Sequence, residues 1–266
     1  MRRPLLLAAV ATALLCAGCS TSDTGDDDEP AATSPSPVHH PAVRAAAAAV
    51  GKGTARIDQE IELTEGEERY VLTVTGGFDF AGDRGHMAVE LPGNGVKRIE
   101  EIFAGDKVYV SGVQRTDEGV WGVIPRDEAE AHSALRAPLN DPEHVLRQIS
   151  AMRQVTKEGE ESVHGVRAVH YRGVLDHATL TLRMAQDARE KLEQARDLLG
   201  GDVLVVADAW VDGRGRLVQT RMSFHAADGG MTATMSLADF GEPVRVTVPK
   251  TEDTVPVTGI SGVLVG

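Results

Sequence analysis

Residues 56–63 read RIDQEIEL, and this stretch decides the fold class. Ile57, Gln59, Ile61 and Leu63 alternate with the charged residues between them. Successive side chains of a β-strand point to opposite faces, so a period of two gives one largely apolar face and one wet face. The stretch therefore predicts an amphipathic strand.

The following residues repeat this period and are separated by turns. Two further alternating sets are Tyr70, Leu72 and Val74, and then Met87, Val89 and Leu91. Residues 82–85 (GDRG) and 104–107 (AGDK) are rich in the residue types that favour tight turns. Strands joined by such turns pair as hairpins, so we predict an antiparallel sheet.

The remaining patterns add a few helices and more strands. We predict one helix at residues 42–50 and a last one at residues 185–199. Between them, a helix is predicted to follow the N-cap Asp141, with Pro142 at its first position. Further strands are predicted at residues 108–110, 163–175, 203–211, 217–225, 231–240 and 244–248. Strands and helices do not alternate as in a parallel sheet. The predicted fold is mainly β: one large antiparallel sheet with helices packed on it.

The N-terminus carries an export signal. Residues 1–19 read MRRPLLLAAVATALLCAGC: two arginines, an apolar run and the small pair Ala17-Gly18 before Cys19. The apolar run is about half of the roughly 20 residues that span a bilayer. The segment resembles the lipobox of bacterial prolipoproteins, which implies that residues 1–18 are removed and that Cys19 carries a diacylglycerol. An ordinary secretory signal, which would not need Cys19, is the alternative.

A tether follows the predicted anchor. The segment up to Pro41 consists largely of Ser, Thr, Asp, Pro and His, a composition that cannot bury enough apolar surface to fold. We therefore predict that residues 19–41 form the lipidated N-terminus and a disordered tether, that residues 42–249 form one domain and that residues 250–266 form a tail.

The net charge limits the possible partners. The chain has 27 Lys and Arg against 40 Asp and Glu, a formal net charge of −13. An acidic chain without a basic stripe has no electrostatic footprint for nucleic acid or for an anionic membrane surface. Membrane attachment is thus assigned to the lipid on Cys19, at the extracytoplasmic face of the cell membrane.

Two motifs carry a resemblance to a known family. Residues 210–217 read WVDGRGRL and residues 239–246 read DFGEPVRV. Together with the alanine-rich helix before the strands, they resemble the LppX/LprAFG family of actinobacterial cell-envelope lipoproteins, which has a LolA-like fold. The resemblance implies a curved antiparallel half-barrel, helices packed on its concave side and an apolar cavity for the acyl chains of lipids or lipoglycans. It implies no catalytic residue.

Candidate ligand-binding residues are the large apolar side chains of predicted strands near turns. They are Tyr70, Leu72, Met87, Val89, Met222, Phe224, Met231 and Met235. Methionine is flexible and adapts to variable ligands. The alternative is that these side chains fill an ordinary core, and a one-residue slip in a strand would reverse their direction.

Motifs of enzymes and metal sites are missing from the sequence. It contains no nucleophile elbow, no zinc-protease motif and no phosphate loop. His164, His170 and His177 are read as scattered surface residues, so neither a metal nor a cofactor is predicted. The predicted function is an anchored, non-enzymatic carrier of lipid or lipoglycan for envelope transport. The alternative is a protein-interaction or sensory lipoprotein that uses the same sheet as a docking surface for an unidentified envelope protein.

Overall fold

The structure is a computed structural model that describes residues 39–90, 98–112, 119–126, 129, 138–184, 186–201, 204–226 and 229–257. Cys19, the predicted signal peptide and nearly all of the predicted tether lie outside the described residues. Within them, no helix is both long enough and apolar enough to cross a membrane.

Helices and strands follow one another with short connections. In chain order they are α1 His40–Val50, β1 Thr54–Glu65, β2 Glu68–Asp79, β3 Arg84–Glu90, β4 Arg98–Ala104, β5 Lys107–Ser111, β6 Trp121–Pro125, α2 Pro142–Ser150, β7 Arg153–Val163, β8 Val166–Leu175, α3 His177–Leu180, α4 Gln186–Leu199, β9 Val205–Asp212, β10 Leu217–Ala226, β11 Gly229–Ala238, a 3₁₀ turn Thr251–Asp253 and β12 Thr254–Pro256.

All twelve strands belong to one sheet. Their order is β12-β6-β5-β4-β3-β2-β1-β11-β10-β9-β8-β7. Every neighbouring pair is antiparallel except β12 with β6, which is parallel. The prediction of a mainly β fold built on one open, curved antiparallel sheet is confirmed.

The two faces of the sheet differ as the alternating pattern predicts. In β1, the side chains of Ile57, Gln59 and Ile61 are fully buried, whereas Asp58 and Glu60 between them are exposed. We call the face that carries Ile57 the inner face and the opposite one the outer face. The buried sides of α1 and α2 join the inner-face residues in one continuous apolar cluster.

Helix α1 begins two residues earlier than predicted. It starts at His40, with Pro41 in its first turn, where the missing N–H of proline costs nothing. The end of the segment predicted as tether is therefore helical. Its buried stripe consists of Val43, Ala46, Ala47 and Val50. The helix ends at Val50, directly before Gly51, as the sequence indicates.

The prediction of a strand at residues 244–248 is wrong. These residues belong to no ladder of the described sheet, because the chain leaves β11 and runs along the outer face, where Val244 lies against Gly77. Alternating valines indicate an extended backbone, but they do not show whether a second strand lies alongside to form hydrogen bonds. The sheet then continues beyond the predicted domain end at Pro249, since β12 pairs with β6.

Candidate functional site

The candidate residues share one face because of the strand register. Leu63 of β1 pairs with Tyr70 on one side and with Met231 on the other, and Met231 pairs with Phe224. One row deeper, Ile61 pairs with Leu72 and with Ala233, which in turn pairs with Met222. Met87, Val89 and Met235 oppose inner-face positions in the same way. All eight candidate side chains therefore belong to the inner face.

Their burial changes with depth in the sheet. Leu72, Met87, Val89, Met222 and Met235 are fully buried in the apolar cluster.

At the strand ends next to the β1–β2 and β10–β11 turns, burial is incomplete. Phe224 and Met231 are partly buried and pack against the cluster, while Tyr70 is 37% exposed. The Tyr70 hydroxyl donates a hydrogen bond to Glu68. The candidates thus run from a partly open rim into a closed apolar interior.

Two polar side chains interrupt the apolar inner face. Gln59 is fully buried, and its Nε2 donates to the carbonyl oxygen of Leu139 at 2.7 Å. Glu101 of β4 is also fully buried, beside Met87 and Val110, and both its oxygens accept from Asn140 Nδ2 at 2.9 and 2.7 Å. Burial raises the pKa of Glu101 to about 8, against a smaller lowering by Asn140. These bonds fix the segment before α2 to the inner face.

Helix α2 adds two more buried polar residues. His144 and Gln148 are 0% and 1% exposed and lie one turn apart on the same side of the helix. Gln148 Nε2 donates to the Thr179 carbonyl at 3.3 Å. Burial lowers the pKa of His144 to about 4, so the ring is neutral at pH 7.

Several atoms of these side chains have no hydrogen-bond partner. Among the described residues, they are both ring nitrogens of His144 and the Oε1 atoms of Gln59 and Gln148. A buried polar atom left unpaired costs about 1–3 kcal/mol, and folded proteins contain few of them. We call Gln59, Glu101, Asn140, His144 and Gln148 the inner polar patch.

A buried ion-pair network fixes the start of α2. Asp141 is 1% exposed and caps the helix by accepting from the backbone N–H groups of Glu143 and His144. Its carboxylate also accepts two bonds of 2.8 Å from Arg126 and one of 2.6 Å from Arg183. Burial raises the pKa of Asp141, but the two guanidinium groups lower it by more, and the resulting pKa is about 2. Arg126 also bonds Asp83 at 2.5 Å, which connects α2 to the turn between β2 and β3.

The outer face carries a separate groove. A cavity of 480 Å³ lies between β1, β11 and the β7–β8 turn, and a second one of 390 Å³ shares Val163 and His164 with it. His164 Nε2 lies 3.0 Å from Ser236 Oγ and 3.2 Å from Gln219 Oε1, so the turn folds over β10 and β11. Charged and polar side chains make up much of both walls, in contrast to the inner face.

The next feature is the surroundings of the histidines that the sequence analysis considered as metal ligands. His164 and His170 both line the 390 Å³ cavity, where His170 stacks on Trp210 at 4.5 Å between ring centroids and contacts Asp208 and Glu161. His170 is only 16% exposed, so it is not a surface residue as predicted. In the part of the chain that the structure describes, no three His, Cys, Asp or Glu side chains are grouped to hold a metal ion.

The Asp212 turn binds its own chain. The Asp212 carboxylate accepts from the backbone N–H groups of Arg214 and Arg216 and from the Arg216 guanidinium. Its oxygens are thereby used within the hairpin, as expected for a structural turn.

This chain is similar to two mycobacterial proteins of known structure. It matches LprF from Mycobacterium bovis with 16% identity and a TM-score of 0.48 over 81% of this chain and 99% of that one. It matches LppX from Mycobacterium tuberculosis with 14% identity and the same TM-score over 79% and 99% of the two chains. LprF and LppX are members of the family that residues 210–217 and 239–246 resemble. These values are too low to transfer a function.

Other comparisons are weaker or cover less. A LolA superfamily protein from Nitrosomonas europaea matches with 10% identity and a TM-score of 0.33 over 85% of this chain and 99% of that one. An uncharacterized 31.2 kDa protein from Streptomyces griseus is 32% identical over 116 residues. This match covers 43% of the present chain and spans only 38% of that relative's length. No family model matches the chain.

Proposed function

We propose that this protein is a lipoprotein, anchored through Cys19 at the extracytoplasmic face of the membrane, that binds acyl chains of a lipid or lipoglycan on its inner face and carries them in the envelope. The observation that carries this proposal is the single face shared by all eight candidate side chains. Each buried methylene of a ligand contributes about 0.8 kcal/mol, so an apolar face of this extent can hold a chain without any charged contact.

The composition of the face supports variable acyl ligands. Met87, Met222 and Met235 are buried at its centre, and Met231 lies at the rim. Thioether side chains adjust their shape at low cost, so they can close over the interior when it is empty and move aside for a chain. We propose that the acyl chain enters at this rim, because Tyr70, Phe224 and Met231 are incompletely buried there.

A pair of neighbouring substitutions on β11 tests the proposal. Met231 and Thr232 are both partly buried, but they point to opposite faces. Met231→Glu puts a charge in the path of an acyl chain and should reduce co-purified lipid at least several-fold in native mass spectrometry. Thr232→Glu, on the outer face, is the matched control and should retain the lipid of the wild type. Equal lipid content in both variants, or no lipid in the wild type, would refute the proposal.

The anchor is tested separately at Cys19. Cys19→Ala should give a protein that is unprocessed or released from the membrane and that carries no metabolic fatty-acid label. Membrane-bound protein of mature size that still carries the label would contradict lipidation at this residue.

A second candidate function rests on the outer groove. A cavity of 480 Å³ with mixed charges is also suited to a protein or peptide partner, which favours the interaction lipoprotein as the alternative. In that case the wild type would contain no lipid, and substitutions on the outer face would abolish binding to an envelope protein.

A further inference from the structure

The inner polar patch contains more hydrogen-bonding capacity than the fold uses. Gln59 Oε1, Gln148 Oε1 and both ring nitrogens of His144 lack partners in the described part of the chain, and all three residues are at least 99% buried. Such groups normally pair with protein, with ordered water or with a ligand. Because these unpaired atoms cluster on the proposed lipid-binding side of the sheet, we expect a bound ligand to pair with them.

These groups are held together by one segment of chain. Gln59 bonds Leu139 at 2.7 Å, and the next residue, Asn140, bonds Glu101. The helix then begins at once, with the backbone N–H of His144 bonded to the Asp141 cap at 3.3 Å. Gln148 follows one turn later on the same side. Residues 139–148 thus supply three members of the patch and bond the other two, Gln59 and Glu101, on the sheet.

The chemistry of the unpaired atoms selects the ligand. An amide oxygen can only accept, and a neutral imidazole accepts at one nitrogen and donates at the other. Within the patch, the unpaired atoms of Gln59, Gln148 and His144 thus offer three acceptors and one donor. The ester carbonyl of a plain acyl lipid also only accepts, so it could pair with the imidazole N–H alone. A hydroxyl group both donates and accepts, and it matches the patch.

We infer that the inner polar patch is a subsite for hydroxyl groups of the bound acyl lipid, located on the acyl chain or on a glycerol or sugar headgroup. This inference rests on the proposed lipid-binding function. It assigns Gln59, His144 and Gln148 as the residues that distinguish a hydroxylated ligand from a purely apolar one.

Competition between matched lipids tests the inference on the full chain. The delipidated protein is offered two pairs below their critical micelle concentrations: stearic acid with 12-hydroxystearic acid, and methyl stearate with 1-monostearoylglycerol. Native mass spectrometry gives the bound ratio in each pair. A preference in the first pair places the hydroxyl on the chain, and a preference in the second places it on the headgroup. Either preference supports the inference.

Two variants must remove that preference. Gln59→Leu and Gln148→Leu each delete one acceptor without changing the size of the residue greatly, and each should lower the preference by about 3- to 10-fold, the worth of one hydrogen bond. Gln219→Leu is the control, because Gln219 is similarly buried but lies on the outer face with its Oε1 beside His164. Each variant also loses the hydrogen bond that its amide N–H donates to the Leu139 or Thr179 carbonyl, so thermal melting of the empty proteins checks that the variants remain folded.

The outcomes separate this inference from the proposed function. If the four lipids bind without preference, or if both variants keep the preference of the control, the patch is no hydroxyl subsite although lipid binding stands. If none of the four binds, both proposals fail.

Discussion

Glu101 is a carboxyl group buried on the inner face between two apolar neighbours, Met87 and Val110. The folded protein keeps its proton up to a pH near the raised pKa of about 8, whereas the unfolded chain loses it near 4.5. Unfolding therefore releases a proton between these values, and the free energy of unfolding falls as the pH rises through this window. His144 gives the opposite slope, but only between its lowered pKa of about 4 and the usual 6.5.

The window from pH 6.5 to 8 consequently isolates Glu101. Each pH unit changes the free energy of unfolding by at most about 1.4 kcal/mol, so the wild type should lose up to about 2 kcal/mol across it. Glu101→Gln cannot titrate and should remove this slope, while Glu60→Gln on the exposed outer face should keep it. Urea unfolding at several pH values measures both. A slope that persists in Glu101→Gln would mean that another group causes it.

At the residue scale, the sequence indicated some of the inner-face residues of the candidate site. The strand period placed Leu72, Met87, Val89, Met222 and Met235 on alternating positions, and these proved to be buried. Gln59 occupied a position of the apolar set in RIDQEIEL, so a polar residue on the buried face was visible beforehand. Glu101 was missed because RIEEIFA places two charged residues side by side, and only the pairing with β3 and β5 shows which of them points inward.

At the element scale, α2 is attached to the sheet through Asp141. This carboxylate caps the helix and compensates the charge of the buried Arg126. Its removal leaves the buried Arg126 guanidinium with only the half-exposed Asp83 as a counter-ion. Losing one partner of a buried ion pair typically costs about 3–5 kcal/mol.

Asp176 provides the comparison for this prediction. It also caps a helix, α3, and pairs with Arg153 at 3.1 Å, but both side chains are substantially exposed. We expect Asp176→Ala to lose only about 1 kcal/mol, because exposed pairs and single caps contribute little. Asp141→Ala should lose several times as much in chemical denaturation. Equal losses for the two variants would show that the Asp141 network does not hold α2.

Element boundaries followed the local signals where these were strong. The Asp141-Pro142 start of α2 was predicted because capping is local chemistry. Strands β4, β6 and β7 and helix α3 were not predicted; β6 and α3, with five and four residues, carry too little periodic signal. Residues 244–248 had the period of a strand, but Pro243 and Pro249 flank them and no strand lies beside them.

At the scale of the whole molecule, strand order depends on contacts that no local pattern contains. Pairing of β1 with β11 joins residues more than 160 positions apart, for example Gln59 with Met235. This pairing puts Met231 beside Leu63 and places Met222 in the same inner-face row as Ile61 and Leu72. The sequence could therefore predict one curved antiparallel sheet and its candidate residues, but not their arrangement. The parallel addition of β12 was likewise not predictable from three residues.

Direct photo-crosslinking tests the central claim, that the inner face holds an acyl chain. The full chain is loaded with a fatty acid that carries a photoactivatable diazirine in the chain, irradiated, digested and mapped by tandem mass spectrometry. We expect the labelled residues to lie on the inner face, on Met222, Phe224, Met231 and Met235, and to shift or vanish in Met231→Glu but not in Thr232→Glu. Labels confined to the outer groove around His164 and Phe240, or no specific label at all, would contradict the account.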